Sequence, residues 1–86
     1  MKTYSQDTQV RDIAERYIER NQPRDYRLII TGVGYSEGFG RYVVFVDTEP
    51  KEVSGADFAR VLAEIEEQME DGGEDIMLHP SLWQQD

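Results

Sequence analysis

An α+β fold (α/β two-layer) of order α-β-β-α-β follows from three features of the sequence, with two helices packed on one face of a small three-stranded mixed sheet. Two segments carry apolar residues at helical spacing. Two short segments between them are β-branched and aromatic and flank a glycine-rich stretch. A further short apolar segment follows the second helix. A chain of 86 residues has room for one core. Residues 1–86 therefore read as a single domain, with 1–6 and 81–86 expected to be flexible or loosely packed.

The first helix is predicted over residues 7–20. Val10, Ile13, Ala14, Tyr17 and Ile18 make an i, i+3, i+4, i+7, i+8 stripe. Ser5, Asp7 and Thr8 are N-cap candidates, and Asn21 with Pro23 marks the stop. Asp12 and Arg16 stand four apart on the outer face, where opposite charges attract. Asp25–Thr31 and Arg41–Asp47 have strand composition. The nine residues GVGYSEGFG between them hold four glycines, which suits a long hairpin with its tip near 36–38. The second helix is predicted over 55–70. Ser54 and Asp57 fit a capping box, Phe58, Val61, Leu62, Ile65 and Met69 share a face, and Gly72-Gly73 ends it. Ile76-Met77-Leu78 reads as a third strand closed by Pro80, and Leu82 with Trp83 as ties for the tail.

Alternation within the strands leaves both sheet faces apolar. Whichever face meets the helices, Ile29, Val43 and Phe45 remain on one side as large apolar groups. Antiparallel sheets with one solvated face normally alternate more cleanly. A partner protein, a second copy of the chain, or the tail folded back would each cover such a surface. Tyr35 and Phe39 on the hairpin are candidate contacts of the same kind.

The charge is uneven. Eighteen acidic residues against nine basic ones give −9 overall. Residues 1–46 carry seven basic against six acidic side chains, and residues 47–86 carry two against twelve. A field of this sign repels nucleic acid and anionic membranes and favours a basic partner surface. Glu64, Glu67, Glu70 and Asp71 on the second helix are the candidate acidic contacts. No segment approaches the roughly 18 apolar residues of a membrane span, and nothing resembles a signal peptide. A cytoplasmic location is expected.

Chemistry finds little support. Without cysteine there are no disulfides and no thiolate sites, and the lone His79 has no second imidazole for zinc. Gly32, Gly34 and Gly38 miss the dinucleotide spacing and precede a strand rather than a helix. The acidic run 66–75 fails the EF-hand pattern, with Met69 and Leu78 where oxygen ligands belong. Asp47 and Glu49 lie two apart at a strand end, where paired carboxylates hold Mg²⁺ in phosphotransfer enzymes. The element order resembles that of minimal nucleotidyltransferases. Yet Thr31-Gly32-Val33 stands where Gly-Ser is wanted, and Asp47-Thr48-Glu49 is not Asp-x-Asp.

The expected function is a small acidic protein-binding module acting by protein–protein contact, without cofactor, metal or chemistry of its own. Two alternatives stand behind it. One is an acidic, DNA-mimic type inhibitor occupying a basic nucleic-acid-binding surface. The other is a metal-assisted phosphotransfer or nucleotide-binding enzyme centred on Asp47 and Glu49.

Overall fold

The chain is described by a computed structural model that covers Tyr4 and residues 6–81. Helix α1 (Asp7–Arg20) leads into β1 (Arg27–Ser36), β2 (Arg41–Glu49), α2 (Gly55–Asp71) and β3 (Ile76–Pro80). The sheet order is β1-β2-β3, antiparallel between β1 and β2 and parallel between β2 and β3. The two-helix, three-stranded α+β architecture is the one the sequence predicts. The predictions for the two termini and for Leu82 and Trp83 fall mostly outside the described residues.

Helix α1 buries the predicted stripe, with Val10, Ile13, Ala14 and Ile18 inside and Tyr17 half-buried. Its N-cap is Gln6, whose side chain makes no capping bond, rather than Ser5, Asp7 or Thr8. Arg16 meets Asp12 through the backbone, its Nε donating to the Asp12 carbonyl at 3.4 Å. At the other end Asn21 caps α1, donating from its side chain to Tyr17 O at 2.7 Å. Helix α2 buries Val61, Leu62, Ile65 and Met69, and Ser54 Oγ accepts from the Asp57 amide. Only half of the predicted capping box forms this way. The Asp57 carboxylate turns instead to Tyr26 and Arg60.

Both strands of the hairpin run further than composition suggested, and β1 starts at Arg27 rather than Asp25. The turn is Glu37–Gly40, displaced toward the C-terminal side of the expected tip. Ser36 organises it, its carbonyl accepting from Gly40 N–H at 2.7 Å and its Oγ from Phe39 N–H at 3.3 Å. Gly40 sits at φ 66°, a conformation that costs other residues steric strain.

An irregularity between Ile30 and Gly32 decides which residues face the helices. Ile30 pairs with Val46, Gly32 with Phe45, Val33 with Val44 and Tyr35 with Tyr42. One extra residue, Thr31, therefore sits in β1, as in a β-bulge. Unbulged alternation from Leu28 and Ile30 would turn Val33 and Tyr35 away from the helices. The bulge brings them back to the helix side. There Leu28, Val44, Val46, Ile76 and Leu78 join both helices in one core, with Ile30, Val33 and Tyr42 packed against it.

The opposite, distal face carries Ile29, Phe45 and Asp47 with Val43, Met77 and His79. Neither helix contributes to it. Val43 and Met77 are nevertheless 4 % and 9 % exposed while lying outside the core cluster.

Candidate interaction surface

The residues singled out from the sequence do not form one site. Ile29, Val43 and Phe45 share the distal face as expected, but only Ile29 (37 % exposed) offers much surface. Phe45 is half-buried and packs near Gly34, where an added Cβ would lie 3.7 Å from its ring. Val43 is buried and presents almost no surface of its own. A shallow groove runs over Gly34 between Val43, Phe45 and His79.

Tyr35 and Phe39 are 56 % and 67 % exposed. Tyr35 lies on the helix-side face at the sheet margin, with its ring edge-on to Tyr42 at 5.1 Å. Tyr42 in turn meets Tyr4 edge-on at 5.7 Å. Phe39 stands on the turn, its amide fixed by Ser36. Two exposed aromatics are thus held by a rigid hairpin rather than by a loose loop. Arg41, at the foot of this hairpin, pairs with Asp75 at 2.6 Å. The contact runs from the buried Arg41 Nε to Asp75 Oδ1.

Both sheet margins carry side-chain plugs that no local residue pattern reveals. Gln22 accepts from Leu28 N–H at 2.8 Å and donates to Leu28 C=O at 3.1 Å, imitating a neighbouring strand. On the far margin, Glu66 accepts from Leu78 N–H at 3.0 Å. Pro80, two residues on, has no N–H to offer. A groove follows the β1 margin, lined by Arg11, Glu15, Ile18 and Glu19 of α1 and by Arg27–Ile30.

The acids of α2 divide by role. Glu64 pairs with Arg60 at 2.9 Å, and Glu66 is taken by β3. Glu67, Glu70 and Asp71 are exposed and have no ion pair among the described residues. Asp47 and Glu49 do share a face, but Asp47 Oδ1 accepts from the Thr48 amide at 2.8 Å and Oδ2 lies 3.8 Å from Lys51 Nζ. Among the described residues no group of three or more acids and imidazoles is placed to hold a metal ion.

The displaced protonation equilibria belong to structural contacts. Burial, followed by the hydrogen bond to Asp57 at 2.7 Å, pushes Tyr26 up to about 12. Burial also lifts Tyr4 to about 12; its hydroxyl donates to Glu74 at 3.0 Å and accepts from the Asp75 amide at 2.8 Å. Arg60 and then Tyr26 hold the Asp57 carboxyl below its usual range. No helix among the described residues is long and apolar enough to cross a membrane. Comparison with protein families, curated proteins and solved structures finds no significant match.

Proposed function

We propose that this chain is a small protein-binding module that works by contact, in the cytoplasm, without chemistry of its own. The observation carrying this reading is the pair of exposed aromatics, Tyr35 and Phe39, on a hairpin whose turn is hydrogen-bonded and whose base is braced by Tyr42 and Arg41. Rigid, exposed aromatic side chains lose little entropy on burial and are frequent anchors of protein interfaces. Among the described residues, the shifted groups Tyr4, Tyr26 and Asp57 are engaged in structural hydrogen bonds, which supports a contact role over an acid–base one.

A photo-crosslinking phenylalanine analogue at position 39 tests this in the source cell. Discrete adducts are expected there, and far fewer from the same analogue at Ala63 on the exposed side of α2. Equal or absent adducts at 39 would remove the hairpin from the interface.

The unpaired carboxylates Glu67, Glu70 and Asp71 favour a second reading, docking on a basic surface. Adducts from position 67 in place of 39, lost at high salt, would select it.

A further inference from the structure

Both helices pack on one face of the sheet, yet Val43 and Met77 on the other face are 4 % and 9 % exposed in a single chain. Met77 lies on β3, an edge strand, paired with Val43 of the central strand. At an edge, a long side chain has a neighbouring strand on one side only, so the sheet alone cannot bury it this far. Val43 faces Gly34 across its other ladder, and a glycine has no side chain to lend. By strand alternation Arg41 shares this face, and its Nε is buried as well. Phe45 and His79 stand at the far end of the same floor. Something lies over Val43 and Met77, and their burial within one chain makes a second copy unnecessary.

We propose that residues 82–86, which follow the described part, fold back over this face, with Leu82 and Trp83 seated on Met77, Val43 and Phe45. The chain leaves β3 at Pro80, one residue past His79, which itself faces the distal side. Turned back at Ser81, the segment retraces four residues of β3, about 13 Å, to reach Met77. Its own extended length is about 17 Å, and an indole adds to that reach. Leu82 and Trp83 are its apolar residues, and Gln84, Gln85 and Asp86 are polar. Such a segment fits a floor of valine, methionine and phenylalanine with water at the rim. This assignment goes beyond the binding-module reading and does not depend on it. It gives the distal face to the chain's own packing and leaves Tyr35 and Phe39 as the exposed aromatics for a partner.

Methionine oxidation by dilute hydrogen peroxide, read by peptide mass spectrometry on the full chain, provides the test. Met77 should oxidise nearly as slowly as Met69, which is fully buried on α2 and serves as the internal standard. Trp83→Ala should speed Met77 by about tenfold while Met69 stays slow. Trp83→Phe should restore most of the protection. If Trp83→Ala unfolds the chain, both methionines accelerate together. The unaltered protein then decides, through nuclear Overhauser contacts between the Trp83 indole and the methyl groups of Val43 and Met77. Trp83 is the sole tryptophan, so its signals are unambiguous. Three results would overturn the proposal. Met77 still slow in a folded Trp83→Ala variant gives the cover to another part of the chain. Met77 protected only at concentrations where light scattering records a doubled mass gives it to a second copy. Met77 fast in the parent chain, with no indole contact to Val43, leaves the face open. In each case crosslinking at position 39 judges the module reading separately.

Discussion

Tyr26 and Tyr4 each tie a segment to the α2 region through a hydroxyl, Tyr26 to the first turn of α2 and Tyr4 to the loop after it. Both hold their protons to about pH 12, while an ordinary tyrosine releases its own near 10. The folded state binds the proton more tightly, so the contribution is complete below pH 10 and disappears as pH rises from 10 to 12. Urea unfolding across that window should show falling stability, and Tyr26→Phe should remove part of the fall. Asp57 behaves oppositely. Its lowered pKa stabilises the fold above its ordinary 3.8, and that contribution is lost as pH drops through the lowered value. These residues also show what local spacing reveals. Ser54 and Asp57 are three apart, and the forward capping bond is legible from that alone. The return bond is replaced by Tyr26, 31 positions away, which no window along the chain can reveal.

At the scale of elements, both helices were legible because their apolar stripes recur every three to four residues and become the buried face. Strand composition located β1 and β2 but not their ends, since the glycine-rich hairpin segment has no strand composition, yet Gly32, Val33 and Gly34 pair in register with β2. The bulge at Thr31 was invisible for a related reason. A one-residue slip changes which side chains are buried without leaving a mark in composition. Turn chemistry yields a sharper expectation. Gly40 and Gly73 have φ of 66° and 84°, so Gly40→Ala and Gly73→Ala should each cost about 1 kcal/mol in chemical denaturation. At Gly73 an added methyl meets nothing, so the loss there is backbone strain alone. Gly38→Ala, at a turn residue without positive φ, should be nearly neutral. Ser54→Ala should lose about 1 kcal/mol through its cap.

Over the whole molecule, the charge asymmetry was readable by counting, but its distribution among roles was not. Of the α2 acids named as contacts, Glu64 is neutralised by Arg60, and neighbouring Glu66 serves the sheet. The remaining row sits near the helix C-terminus, where the backbone dipole disfavours negative charge, and Glu67 and Asp71 repel each other at i, i+4. Glu67→Lys with Asp71→Lys should therefore raise stability by about 0.5–1 kcal/mol. If this face docks on a basic surface, the same pair should weaken binding and flatten its salt dependence. Greater stability with unchanged binding would leave the acids a solubilising role. The margins of the sheet have a different consequence, for stoichiometry. A sheet open on both sides can add copies of itself without limit. One with its β3 side closed by Glu66 and Pro80 can accept a single strand and then stop. A strand added along β3 would therefore have to displace the Glu66 bond and would find no N–H at Pro80. Glu66→Ala combined with Pro80→Val should expose that margin, and the variant should associate more with rising concentration than the parent chain does, as light scattering would record.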